Sequence, residues 1–315
     1  MTEKQLEKKL KSIYQTAEKE IGDSWIAFMQ EAEQKIKPLE EAYEKAKQSG
    51  DKDAIRKAGI ALNREKTLQT VQNKRFAGVA GEVALRLANI NEVALDYVNG
   101  VMPEFYSAQL NEVVDQIYTD IGQIDTGRNF SLMDENTFRN LLEKKDQLYS
   151  QKTLDRAKDM KWNLKAITSQ MTQGILQGES IPKMAQRLQN ITSMNEAAAV
   201  RSARTLVTTA ENSGRLSGLK AAEEMGIVYE KQWMASHDDR TRLSHQELDG
   251  VSVPVDEPFI DGDGNKIMYP GDMTAAPETV WNCRCTMVRK LIGFRRPDGT
   301  ISKVDIKHPY KPRYF

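Results

Sequence analysis

Along the first fifty residues the apolar positions fall every third or fourth place: Leu6, Leu10, Ile13, Ala17, Ile21, Trp25 and Phe28. That spacing puts them on one stripe of an α-helix. Between them lie Glu, Lys and Gln, good helix formers whose i,i+4 pairs add a few tenths of a kcal/mol each. Pro38 predicts a kink or interruption, and residues 48–51 predict a break. So narrow a stripe calls for a surface to cover it. A second helical run is predicted over 52–99, through Leu68, Val71, Phe76, Val79, Val83, Leu87, Ile90 and Val98, ended by Gly100 and Pro103. A third holds Phe105, Leu110, Val114, Ile117 and Ile121. Residues 122–131, with Asp125, Gly127 and Asn129, read as a loop. Helix then resumes at Phe138, Leu141 and Leu142 and continues to Gly178.

Gly178 suits a helix C-cap, and Ser180 with Pro182 suits the next helix start. Ser193 and Glu196 fit a capping box ahead of an alanine-rich helix ending near Gly226. From Ile227 the pattern changes. Val228, Tyr229 and Trp233 predict a strand, and short β segments are predicted at 251–253 and 279–281. Pro254, Pro258, Pro270 and Pro277, with intervening glycines, mark turns. The fold class is therefore α+β: a long, mostly α-helical N-terminal region followed by a compact, loop-rich α+β C-terminal module. The α body spans about 225 residues and the module about 65, followed by a basic tail.

Composition narrows the function. The 315 residues carry 45 basic and 45 acidic side chains, with 39% hydrophobic residues. No stretch approaches the roughly 20 apolar residues of a membrane span, and MTEKQLEKKL lacks the apolar core of a secretory signal. Two cysteines and three histidines exclude a disulfide scaffold and leave few candidates for His/Cys catalysis. A reducing cytoplasm is the expected compartment. The neutral total hides an uneven spread. Residues 1–50 hold nine Lys, no Arg and ten acids, whereas 286–315 hold eight basic residues against Asp298 and Asp305. GxxxxGK(S/T), GxGxxG, HExxH and GxSxG motifs are all absent, which argues against a nucleotide-driven motor or a serine hydrolase.

Candidate chemistry gathers late in the chain. Residues 236–245 (SHDDRTRLSH) hold His237, Asp238, Asp239, Arg240, Arg242 and His245. They read either as a general acid–base site, with His245 oriented by an aspartate, or as a hydrogen-bonded corner. Asn282-Cys283-Arg284-Cys285 on a strand would point both sulfurs to one face. With His245, and His237 as a fourth ligand, they could hold a structural zinc. Otherwise they are buried thiols acting as small hydrophobes. Asp261-Gly262-Asp263-Gly264-Asn265 matches the start of a calcium loop, but Lys266 stands where glycine is needed, so a tight turn is expected. Arg289, Lys290, Arg295, Arg296, Lys303, Lys307, Lys311 and Arg313, interleaved with aromatic residues, suit phosphate contacts and base stacking. Pro297-Asp298-Gly299 predicts a hairpin within this tail.

Several pieces in order resemble the phage minor head proteins of the Mu F and SPP1 gp7 type, also called head morphogenesis proteins. They are Gly174, Gly178 and Ser180; Ala203-Arg204-Thr205; Lys231-Gln232-Trp233; Asp238-Asp239-Arg240-Thr241-Arg242; His245; Leu248-Asp249-Gly250; Pro270-Gly271; Pro277; and Asn282-Cys283-Arg284-Cys285. The resemblance runs from 167 to 291, and it implies a helical, partner-binding region over 1–165, the module with its helical lead-in over 166–291, and a basic tail over 292–315. Leu206 departs from it, since the family often has an acidic residue there. The resemblance implies a virion protein of a tailed phage, in the capsid interior at the portal vertex after assembly in the host cytoplasm. It would act in procapsid assembly and in DNA packaging or ejection. Implied partners are the portal protein, scaffold or major capsid protein, DNA, and sister copies. No enzymatic activity is expected. Relatives sometimes carry appended toxin domains, but residues 286–315 are too few for one, and no acidic ExE pair is seen there. Trp233, Asp238, Asp239, Arg240, Arg242, His245, Asp249, Gly250, Asn282 and Arg284 are then expected to build one polar network that locks the loops. The alternative is a metal-dependent nuclease or transferase centred on His245, Cys283 and Cys285.

Overall fold

The computed structural model describes residues 1–70, 73–122 and 151–304. Val71, the predicted loop beyond Gly122, the positions Phe138, Leu141 and Leu142, and the tail residues Lys307, Lys311 and Arg313 lie outside them.

Among the described residues five long helices come first: α1 (Glu3–Ser49), α2 (Lys52–Leu68), α3 (Lys74–Gly122), α4 (Arg156–Gln177) and α5 (Ile181–Glu224). Then follow β1 (Ile227–Met234), the short helix α6 (Leu243–Glu247), β2 (Ser252–Pro254), β3 (Phe259–Ile260), β4 (Lys266–Ile267), the single turn α7 (Pro277–Val280), β5 (Thr286–Arg295) and β6 (Ile301–Lys303). An α+β chain is what the sequence pattern predicts, but several helix boundaries move. Pro38 does not interrupt α1. The hydrogen bond it cannot donate would have gone to the carbonyl of Gln34, which faces water, while Ile36, Leu39 and Tyr43 on either side pack on one core. Gly100 and Pro103 likewise fall inside α3, between buried Val98, Val101, Met102, Phe105 and Tyr106. The break comes earlier, between α2 and α3, where the Asn73 side chain accepts from the N–H groups of Arg75 and Phe76 at 2.9 and 3.4 Å. Ser193 starts no new helix. α5 runs through it, held by buried Ile191 and Asn195. The predicted strand at 279–281 is α7 and its exit, because Pro277 fixes the first turn and the Thr279 hydroxyl donates to Ala276 O.

The chain packs as two compact units, each discontinuous in sequence. One comprises residues 2–97 and 152–200; the other comprises Met1 and the described parts of 98–151 and 201–315. The expected boundaries at 165/166 and 291/292 fall inside α4 and β5.

The first unit is all helix. Its core gathers Ile21, Trp25, Phe28, Phe76, Val83, Leu87, Ile167, Met171, Met184 and Leu188. Trp25, Phe28 and Phe76 meet edge to face or tilted, with centroids 5.5 to 5.8 Å apart. The α1 stripe from Leu6 to Ile36 is buried, and its half from Ile21 onward belongs to this core.

The second unit is built on a four-stranded antiparallel sheet of order β2-β1-β5-β6, with a separate β3–β4 hairpin. Strand alternation puts Ile227, Tyr229, Lys231 and Trp233 of β1 on one buried face. Met287 and Leu291 of β5 share this core with Val113, Ile117 and Ile121 of α3 and with Leu216, Leu219 and Ala222 of α5. Gly214 and Gly218 let α5 approach α3 closely. A Cβ on Gly218 would stand 2.7 Å from Val113 Cγ1, and one on Gly214 would strike the Tyr106 carbonyl.

Candidate functional site

After β1 the chain leaves the sheet as an irregular loop, which needs partners for its backbone groups. Asp238 binds three groups at its Oδ1, which accepts from Arg240 N–H at 3.1 Å, the Thr241 hydroxyl at 3.0 Å and Arg284 Nη2 at 2.8 Å. Partial burial opposes ionisation of this carboxyl, but those hydrogen bonds outweigh it and hold its pKa below the usual value. Asp249 Oδ1 accepts from Ala235 N–H at 2.9 Å. Gly250, at φ 77°, donates to Trp233 O at 2.9 Å. Arg242 donates to Trp281 O. Asn282 adopts φ 61°, a left-handed conformation that asparagine tolerates better than most residues. Of the ten residues expected to build one polar network, Asp238 and Arg284 bond each other, whereas Arg242, Asp249, Gly250 and Asn282 make separate contacts. The side chains of Asp239 and Arg240 are exposed. His237, also exposed, faces Asp249 at 3.4 Å and not the cysteines.

One face of α5 fastens this module. Thr205, Thr208, Thr209 and Asn212 are spaced at i, i+3, i+4 and i+7, hence on one stripe. The Thr205 hydroxyl accepts from Asn282 N–H at 3.0 Å, Thr208 donates to Cys283 O at 3.0 Å, and Thr209 donates to Gly271 O at 2.7 Å. Buried Asn212 donates to Pro270 O at 3.1 Å and Cys285 O at 3.2 Å, while its Oδ1 accepts from Met287 N–H at 3.2 Å. A helix stripe has replaced strand pairing for the irregular segments around Pro270 and Cys283. The polar 205/208/209/212 spacing was the available signal.

Under this stripe lies a thiol–imidazole cluster. Cys283 and Cys285 occupy the extended lead-in to β5 and not the strand itself, yet both sulfurs face His245 on α6. Nδ1 stands 3.7 Å from Cys283 Sγ and 3.6 Å from Cys285 Sγ. His245, Cys283 and Cys285 are 1%, 2% and 3% exposed. Trp233 meets the imidazole edge to face at 5.1 Å, and His245 Nε2 is buried with no hydrogen-bond partner among the described residues. No aspartate orients the ring among the described residues, so the acid–base reading of His245 lacks its second member. The two thiols titrate as a pair. Cys285 is the more acidic, through the hydrogen bond from Cys283 and then that from His245, while Cys283 is pushed up by Cys285 and by burial. Among the described residues this is the one group of His, Cys, Asp or Glu side chains placed to share a metal ion. Asp261 of the calcium-like segment instead serves the β3–β4 turn, its Oδ1 accepting from Asp263 and Asn265 N–H at 3.0 and 2.8 Å.

Residues 165–288, which contain the network, the threonine stripe and the cluster, match the family model described as "Phage Mu protein F like protein". They are similar to the Mu F-like domain that this model describes. The minor head protein GP7 of Bacillus phage SPP1 is 27% identical over 252 residues, which cover 74% of this chain and 80% of that protein. The NAD(+)–arginine ADP-ribosyltransferase EFV of Enterococcus faecalis (strain ATCC 700802 / V583) is 35% identical over 128 residues, 41% of this chain and 26% of the enzyme. The chain thus spans about a quarter of that relative's length. No solved structure matches it significantly.

The basic residues beside the Mu F-like domain divide into two sets. Arg289 is buried against α3, donating to Asp120 at 2.8 and 2.9 Å and to Gln116 at 2.5 Å, and Lys290 pairs with Glu230 at 2.9 Å. These two charges answer internal carboxylates. Arg295, Arg296 and Lys303 are exposed on the β5–β6 hairpin, whose turn at Asp298-Gly299 the sequence predicts.

Proposed function

We propose that this chain is a minor head protein of a tailed phage and acts in head morphogenesis. The observation that carries the reading is the match to SPP1 GP7, which reaches well beyond residues 165–288 to four fifths of that protein. In this reading the helices of residues 1–165 engage the portal protein, scaffold, major capsid protein or sister copies at the portal vertex. The chain is built into the capsid interior from the host cytoplasm, and Arg295, Arg296 and Lys303 contact the packaged or ejected DNA. The test is co-expression with the cognate portal protein, followed by pull-down and by protein analysis of purified procapsids and virions. Recovery with portal and particles supports the reading, and absence from both overturns it.

The match to the ADP-ribosyltransferase favours a second reading, an enzyme. Against it stands burial: His245, Cys283 and Cys285 are all at least 97% covered, which leaves a nucleotide or nucleic-acid substrate no approach. Turnover of NAD(+) with an arginine acceptor, or cleavage of DNA or RNA, by the purified chain would revive it.

A further inference from the structure

We propose that His245, Cys283 and Cys285 bind one zinc ion, which staples the loop-rich half of the Mu F-like domain. The geometry is the first argument. Zinc–sulfur bonds of about 2.3 Å and zinc–nitrogen bonds of about 2.05 Å at a tetrahedral angle set an N···S edge of about 3.6 Å. The two N···S edges here are 3.6 and 3.7 Å, and all three ligand atoms lie within 4.8 Å of one another. Two edges of a coordination tetrahedron are already in place.

The chemistry of the donors is the second argument. Nδ1 carries one lone pair or one proton, so it can complete a hydrogen bond with one thiol at a time. Two sulfurs at nearly equal distance from one ring nitrogen are better served by a cation at the centre of all three. Two thiolates and an imidazole are a soft, borderline set that selects zinc over calcium or magnesium. Nearly complete burial suits a structural ion, and the group of potential ligands among the described residues supplies three of its donors.

The third argument is what the ion would hold. The ligands are 38 and 40 residues apart in sequence. They come from a five-residue helix with no side-chain cap and from a segment outside the sheet ladder. Neither is a self-sufficient element, since a single helical turn nucleates poorly on its own. A metal bridging them closes a long loop, which is where a crosslink removes the most chain entropy.

The test uses the full chain produced in zinc-supplemented medium. Elemental analysis should return one zinc per chain. Exchange for cobalt should give the visible bands of a tetrahedral ion with sulfur-to-metal charge transfer. Chelation should lower the melting temperature and turn two thiols that are silent toward a thiol reagent into reactive ones. C283S and C285S should each lose the stoichiometric metal, whereas H237N should keep it. Because the serine variants could fail to fold, the cobalt spectrum of the unaltered chain is decisive. A metal-free protein with an unchanged melting temperature in chelator, or a cobalt spectrum without sulfur ligation, overturns the proposal.

Discussion

Lys231 stands in register with Ile227, Tyr229 and Trp233 and is fully buried, its ammonium donating to Met268 O at 2.7 Å and lying 5.3 Å from the Phe259 ring centroid. One carbonyl and one aromatic face replace a full hydration shell. Burial, with Lys220 adding a like charge, depresses its pKa from 10.5 to about 8, while Asp256 and Asp272 oppose the drop. That difference corresponds to about 3 kcal/mol against the folded, charged state. Its sign fixes the pH window. Between pH 8 and 10.5 the unfolded chain binds more protons than the folded one, so stability rises with pH there, and below pH 8 the penalty is complete. Integration gives roughly 1 kcal/mol of recovery between pH 7 and 9. Lys231→Met keeps the volume and removes the titration. Urea unfolding of both proteins at pH 7, 8 and 9 should therefore show the original chain gaining on the variant by about 1 kcal/mol, with every shared tyrosine and thiol cancelling in the difference. Parallel stability profiles would refute the claim that this lysine is charged, buried and costly.

Asn212→Leu removes the partner of Met287 N–H and of two carbonyls, and should cost about 3 kcal/mol, read as a lower urea midpoint at unchanged slope. Gly214→Ala drives a methyl group into the Tyr106 carbonyl, and calorimetry should show a melting temperature lower by several degrees. Arg289→Met strands partly buried Asp120 and should destabilise by about 2 kcal/mol without changing DNA binding. The combined change of Arg295, Arg296 and Lys303 to glutamine should do the reverse. Melting should be unaltered, and the salt dependence of DNA affinity should become shallower by roughly one for each phosphate that is no longer neutralised.

Periodicity revealed the helices because α1 keeps Leu6, Leu10, Ala17, Ile21, Trp25 and Phe28 on one buried stripe. It misplaced their ends because proline and glycine were read as local signals. At Pro38 and Pro103 the apolar packing on both sides outweighs the roughly 3 kcal/mol that a proline costs inside a helix. The strand β1 was legible from its alternation, whereas 279–281 was not, since a one-turn helix has no period to detect. At the site, Asp238 and Arg284 could be suspected as a pair from their residue types. The pairing of Arg289 with Asp120 spans 169 residues and leaves no local trace. The cluster of His245 with the two cysteines was visible as a set of donors, but the rejection of His237 depended on where the loop turns.

The discontinuous second unit bears on whether such a segment can stand alone. The part of the matched segment that lies in this unit, residues 201–288, rests on Val113, Ile117 and Ile121 of α3, which lie outside it, and the inner strand β5 continues past its end to Arg295. Cut out alone, the segment would expose the apolar underside of its own sheet and lose the last residues of its longest strand. In this chain the matched stretch is therefore not self-sufficient: its sheet needs α3, a helix outside the stretch, to cover it.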